Sequence, residues 1–299
     1  MHIGVCLPNY GRASSPEAIC EVAQAAEALG FDSIWTTDHI LVPEAYEEPY
    51  GRIFETWTTL AYVAALTRRV RLGTSILILG LRNPVLVAKQ AATLDQLSNG
   101  RLILGIGAGW LASEFENLGM SFRRRIRFLE EGILLMRTLW TTPRPRFEGR
   151  FFRIRDAVFE PPPVQSGGPP IWIGGNTEAA VQRAARLGDG WHPVGLDPET
   201  LRARVAQLRE QSAGRSLRVV CRMYVALGSS LPLVYTSPTG EPRMRLTGSL
   251  EQIAEGLRQL QEAGADGVVF TFEAPSVAAQ IEQMQRLAAL RPWFVSSPA

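Results

Sequence analysis

The feature that most restricts how this chain can fold is a repeated alternation. Eight short apolar runs read as strands: "HIGVCLP", "DSIWTT", "VRLGTSILIL", "RLILGIG", "PIWIGG", "GWHPV", "LRVVCRMYVAL" and "DGVVFTF". Segments of helical periodicity such as "SPEAICEVAQAAEALG" and "SLEQIAEGLRQLQEAG" lie between them. Strands separated by helices pair in parallel, with each helix crossing a face of the sheet. A shared lead-in recurs as Gly30-Phe31-Asp32, Gly188-Asp189-Gly190 and Gly264-Ala265-Asp266. Glycine there suits the left-handed position that ends a helix, and aspartate suits the tight turn into a strand. Eight such units in 299 residues predict an α/β fold, a single (β/α)8 TIM barrel domain over residues 1–299. A doubly wound sheet is the competing arrangement.

Two segments interrupt the rhythm. Residues 141–170 alternate aromatic and charged side chains around Gly149 and end in a proline run, which predicts a hairpin insertion between the fourth and fifth units. The stretch "GSSLPLVYTSPTGEPRMRLTG" separates the seventh strand from its helix.

With 46% hydrophobic residues the chain can bury a large core, and a net charge of only +2 gives no reason to expect nucleic acid or a membrane surface as partner. Cys6, Cys20 and Cys221 are scattered without metal-ligand spacing, which suits a reducing compartment. No apolar run approaches the roughly 20 residues of a membrane helix. The expectation is a soluble, cytoplasmic protein acting on a small molecule, without a metal.

In a barrel the strands' C-terminal ends and the loops after them form the active face. The polar residues gather there: Asn9 and Tyr10 after the first strand, Asp38 and His39 after the second, Ser75 and Ile76 in the third, and His192 after the sixth. Two glycine turns follow the fourth and fifth strands, Gly105-Ile106-Gly107-Ala108-Gly109 and Gly174-Gly175-Asn176. The first fits the dinucleotide fingerprint poorly, because its third glycine comes a residue early and no acidic strand end follows. The second opens a helix whose free amides suit a phosphate. Either one phosphate sits between the two turns, or the glycines relieve crowding where strands leave the barrel. His39, directly after Asp38, can exchange a proton near neutral pH, or the pair can simply brace a loop. His192, between Trp191 and Pro193, reads as a packed ring. The loop 41–55 is either a lid or wall, or a solvated loop, and Arg123, Arg124, Arg125 and Arg127 read as a solvated helix face.

Taken in order, "GFDSIWTTDHI", "RLGTSILIL", "NPVLVAKQAATLDQLSNGRLILGIGAGW", "PIWIGGN" and "RLGDGWHP" resemble the bacterial luciferase-like superfamily of flavin and deazaflavin barrels, within it the coenzyme F420-dependent oxidoreductase branch. The resemblance implies a homodimeric barrel holding F420, or alternatively FMN, at the strands' C-terminal ends. It implies Asp38 and His39 beside the deazaflavin ring, with His39 as proton donor or acceptor. Ser75-Ile76 would form a non-proline cis bulge behind the ring, and Gly107, Ala108, Gly109, Gly174, Gly175 and Asn176 would hold the phosphate. The implied reaction is hydride transfer between F420 and a small organic substrate. An FMN-dependent monooxygenase and a non-catalytic flavin-binding barrel are the alternatives. Sugar-phosphate dehydrogenases of this superfamily carry a glutamate in the fourth-strand turn, and the turn at Ala108 has none, which argues against that substrate.

Overall fold

The computed structural model describes residues 1–290. Eight parallel strands close into a barrel: β1 (His2–Cys6), β2 (Ser33–Thr36), β3 (Arg71–Thr74), β4 (Leu102–Gly107), β5 (Ile171–Gly174), β6 (Gly190–His192), β7 (Arg218–Leu227) and β8 (Gly267–Phe272). Closure is made where β8 pairs with β1, in the register His2 with Gly267. The helices are α1 (Pro16–Ala28), α2 (Thr56–Leu66), α3 (Pro84–Ser98), α4 (Arg125–Thr141), α5 (Glu178–Leu187), α6 (Pro198–Gln211), α7 (Leu250–Glu262) and α8 (Val277–Ala288), each following its strand. The fold is the (β/α)8 barrel that the alternation predicts.

Strand alternation divides the core in two. Cys6, Trp35, Ile103, Trp172, Val220 and Val269, one from each of six strands, fill the barrel interior, and the indoles of Trp35 and Trp172 stack with centroids 5.2 Å apart. Their neighbours Val5, Ile34, Leu102, Leu104, Ile171 and Ile173 point outward into the layer shared with the helices. Full burial of each such aliphatic side chain contributes roughly 1.5–3 kcal/mol.

The repeated lead-in has a more specific cause than turn propensity. Asp32, Asp189 and Asp266 each use both backbone and side chain on a single residue of the neighbouring strand. Their amides donate to the carbonyls of Ile3, Ile171 and Val219 at 2.8, 2.7 and 2.7 Å. Their carboxylates accept from the amides of the same three residues at 2.7, 2.8 and 2.8 Å. One device therefore stitches the N-terminal rim of the barrel in three places. The glycine half of the motif is less uniform: Gly30 and Gly264 are left-handed at φ +78° and +103°, whereas Gly188 lies at φ −90°.

The third strand departs from the single run expected over 70–79. It stops at Thr74, the Ser75–Ile76 peptide is cis, and the chain resumes as a two-residue strand, Leu77–Ile78, paired with β4. The first insertion contains the predicted hairpin, Phe147–Glu148 against Arg153–Ile154. The second makes a hairpin of its own, Val234–Thr236 against Pro242–Gly248, and the latter strand adds in parallel to the outer half of β7.

Candidate functional site

A cavity of about 490 Å³ opens at the C-terminal ends of the strands, lined from every side of the barrel mouth. His39, Asp38, Ser75, Ile76, Ala108, Gly109, Gly174, Gly175 and Asn176 all line it, while Gly107 lies behind the wall. The two glycine turns stand side by side, because β4 and β5 pair directly with Leu104 opposite Ile171.

His39 is 5% exposed and its Nδ1 lies 2.7 Å from Oε2 of Glu114, a carboxylate with 0% exposure. The other oxygen of Glu114 accepts from the amides of Ile40 at 2.6 Å and Leu41 at 3.2 Å. Burial alone would push this carboxyl up, but the bonds from His39 and the two amides outweigh it and hold Glu114 below the usual glutamate range. An ionised Glu114 accepts only, so Nδ1 of His39 carries a proton, and in the neutral ring it is Nε2 that holds the lone pair. Tyr50 and Trp110 pack on the imidazole at centroid distances of 4.6 and 5.9 Å. Tyr50 comes from the loop 41–55, which thus serves as a wall of the cavity.

Asp38 is turned away from His39. Its carboxylate takes both nitrogens of the Arg82 fork, at 2.7 and 2.8 Å, and the amide of Ile78 at 2.9 Å. Asp38 therefore anchors the strand resumed after the cis peptide. Burial raises its carboxyl above the usual aspartate range, against the pull of Arg82.

The bare glycines have a packing role in the structure. A Cβ on Gly107 would lie 1.9 Å from Cδ1 of Ile76, and one on Gly174 would lie 2.8 Å from the same atom. A Cβ on Gly105 would lie 2.0 Å from the Thr74 carbonyl oxygen. These glycines seat the bulge of the third strand, the crowding alternative, and the space they leave is filled by protein. Asn176 is likewise committed: its amide nitrogen donates to the Val194 carbonyl at 2.7 Å and its oxygen accepts from the Val194 amide at 2.9 Å. Gly175, at φ +115°, is left with only Ala180 near its missing Cβ, 3.1 Å away.

The groups that suit an anion lie just beyond these turns. Thr177 caps α5, so the amides of Glu178 and Ala179 keep no intrahelical partner, at the positive end of the helix dipole. Arg125 and Arg183 also line the cavity. Arg183 pairs with Glu130 at 3.2 Å, whereas Arg125 donates only to the Gly109 and Phe122 carbonyls and has no carboxylate partner among the described residues. Burial, then the charge of Arg183, lower Arg125. The Thr37 hydroxyl, also on the wall, is buried without a partner among the described residues. An uncompensated cation, free helix amides and an orphaned hydroxyl are the donor set that an anionic, heteroaromatic cofactor requires, so the residues present fit a flavin or deazaflavin phosphate.

His192 is the packed ring its neighbours suggested. Nδ1 meets the Val220 carbonyl at 2.5 Å, Nε2 meets the Ser75 hydroxyl at 2.9 Å, and the ring stacks on Trp35 at 5.1 Å. Burial is the main cause holding its pKa at about 4. Glu114, Arg82 and Arg222 went unread in the sequence, as did the part of Arg125 in the wall. Arg123, Arg124 and Arg127 are exposed, as their run suggested. The signal for Glu114 was faint: an acid one turn into a short helix after the glycine turn, in "GWLASEFEN". Among the described residues, no cluster of His, Cys, Asp or Glu is placed to hold a metal ion, and no helix is long and apolar enough to cross a membrane.

A TIM barrel with a buried imidazole–carboxylate pair on the wall of a cofactor-sized cavity is the class that fold and site define. The sequence profile described as luciferase-like monooxygenase matches residues 1–231, and the chain belongs to that family. It is 33% identical over 270 residues to an uncharacterized protein of Mycobacterium tuberculosis, covering 85% of this chain and 84% of the relative. It is 36% identical over 180 residues to the F420-dependent glucose-6-phosphate dehydrogenase of Amycolatopsis mediterranei, covering 59% of this chain and 53% of that protein. In structure it is similar to an F420-dependent secondary alcohol dehydrogenase in complex with an F420–acetone adduct, with a TM-score of 0.81, 22% identity and coverage of 96% and 97% of the two chains. Members of the family are oxidoreductases and monooxygenases, with F420-dependent homologues among the relatives of this chain.

Proposed function

We propose that this protein is an oxidoreductase that uses coenzyme F420 to transfer a hydride to or from a small organic substrate. The observation that carries the reading is the His39–Glu114 pair, a proton-handling group set on the wall of a cavity whose other features suit an anionic cofactor. When bound, F420 supplies two-electron hydride chemistry, which the protein itself lacks. Arg125, Arg183 and the first amides of α5 would hold the cofactor's anionic group, and Ile76, Gly174 and Gly175 would line the space for its ring. Glu114 fixes the His39 tautomer, so that Nε2 takes the proton an alcohol releases on oxidation, or returns it when a carbonyl is reduced. Tyr50 and Trp110 cover the imidazole and keep water from competing for that proton. Homodimerisation is part of the same proposal and is tested by light scattering.

The cofactor assignment is tested by titrating the purified protein with F420 and with FMN and following the fluorescence of each. Saturable quenching of F420 at one equivalent per chain is expected, and it should persist in His39→Ala while turnover is lost. Tight binding of FMN with none of F420 would overturn the assignment in favour of a flavin monooxygenase.

A further inference from the structure

A second set of cations lines the same cavity without a use in the reaction above. Arg222 projects from β7 and shares the wall with Tyr224, Tyr50 and, from the hairpin 228–248, Tyr235 and Arg243. Arg222 donates to Thr271 Oγ1 at 2.8 Å, to the Ser75 carbonyl at 2.6 Å and to the Tyr10 hydroxyl at 3.2 Å. Every one of these acceptors is neutral, and Arg222 has no carboxylate partner among the described residues. Among the described residues Arg243 has one carboxylate partner, the half-solvated Glu241 at 3.4 Å, and its Nε is buried without a partner. The Tyr235 hydroxyl, beside Arg243, is buried and makes no other hydrogen bond among the described residues.

A guanidinium held among neutral groups in a low-dielectric pocket is costly unless an anion joins it, and an orphaned donor beside it adds to that cost. The phenols do not provide the charge: burial holds Tyr50 at about 12 and raises Tyr10 and Tyr235 too, so all remain neutral donors near pH 7. Arg222, Arg243 and Tyr235 therefore share one side of the cavity with a single half-solvated carboxylate, Glu241, which meets only Arg243, and Arg222 has no negative partner among the described residues. The phosphate assigned to Arg125, Arg183 and α5 does not supply it, because that group is already provided with its own donors.

Resting on the F420 reading, we propose that the wall formed by Arg222, Arg243 and Tyr235 is an anion subsite for the substrate, which makes the substrate a small organic acid, carrying a carboxylate or an oxyanion of similar size. The same chemistry can come from an anionic tail of the cofactor, and the test separates the two. Benzoate and its neutral isostere benzamide are titrated calorimetrically into the full-length protein, with and without F420. Benzoate is expected to bind about ten-fold or more tightly than benzamide, the difference that one charge-assisted pair makes. Arg243→Met and Tyr235→Phe should each reduce that preference while leaving F420 affinity within about two-fold. Tyr235→Phe removes only a hydroxyl whose one neighbour of note is Arg243, so it keeps the test interpretable if Arg243→Met fails to fold. Equal affinity for the two probes, or a preference that neither variant moves, overturns the proposal. So does a loss of F420 affinity in the variants with the benzoate preference intact, which would assign the subsite to the cofactor's tail. If neither F420 nor FMN binds yet the benzoate preference holds and falls in both variants, the cofactor reading fails and the anion subsite stands.

Discussion

Replacing Glu114 by glutamine tests the proton-handling role at its support, without touching the imidazole. The amide is isosteric, but it cannot satisfy its three neighbours as the carboxylate does, because the Ile40 and Leu41 amides and His39 Nδ1–H all donate to Glu114. With the substituted side chain's oxygen toward the two backbone amides, its NH₂ group faces Nδ1, which must then give up its proton and accept. The opposite orientation opposes two donors with two donors and is worse. His39 therefore switches tautomer, and Nε2 presents N–H to the cavity where it presented a lone pair. A hydrogen bond to a charged group contributes about 1.5–3 kcal/mol against about 1 kcal/mol for a neutral one, so the lost charge accounts for roughly 0.5–2 kcal/mol. That corresponds to about 2- to 30-fold in rate. Tautomer inversion adds to it; the analogous Asp-to-Asn change in a Ser-His-Asp triad costs about 10⁴ in kcat. Turnover should thus fall by between about 30-fold and 10⁴-fold. The tautomer can be read without knowing the substrate, because the chain has only three histidines and ¹⁵N-histidine labelling with a His39→Ala control assigns them. Nδ1–H is expected at His39 in the native protein and Nε2–H in the variant. Nε2–H at His39 in the native protein, or no change on substitution, would refute the reasoning.

Two other expectations concern packing and pH. Gly107→Ala drives a methyl to within 1.9 Å of Ile76 Cδ1 and should destabilise the fold by about 1–3 kcal/mol in urea unfolding. In an Ile76→Val background, which lacks Cδ1, the same change should cost about 1 kcal/mol less; additive effects would mean that Ile76 is not what the glycine accommodates. His192 has a folded pKa of about 4, below its ordinary 6.5. Between those values the unfolded chain binds the extra proton and the folded chain does not, so stability falls as pH drops from 6.5 toward 4, by up to about 3 kcal/mol from this residue. His2, also held at about 4 mainly by burial, adds to the slope. His192→Gln should flatten the pH dependence of the unfolding midpoint, read from the fluorescence of the stacked Trp35 and Trp172, and an unchanged slope would show that His192 is not the source.

The barrel was legible because its information is local. Alternating two-residue and 3.6-residue periods identify strands and helices within short windows, and eight of them in succession leave little besides a closed parallel sheet. The glycine–aspartate lead-in was equally visible, though its second half, a carboxylate bonding the preceding strand, appears only when Asp32 meets Ile3 and Asp266 meets Val219. His39 stood out for the same reason, as a rare residue at a strand's active end. Its partner did not: Glu114 is 75 residues away and looks like any acid on a short helix. The glycines at 105, 107 and 174 show in sequence that something comes close to the backbone, but whether a ligand or Ile76 fills the gap depends on the third strand's path past Ser75. Likewise, nothing along the chain separates Arg125 and Arg222 from arginines facing water. Periodicity belongs to neighbours in the chain and so is written in the sequence, whereas the pairing of charges and the occupancy of a pocket arise only when distant strand ends are brought to one rim.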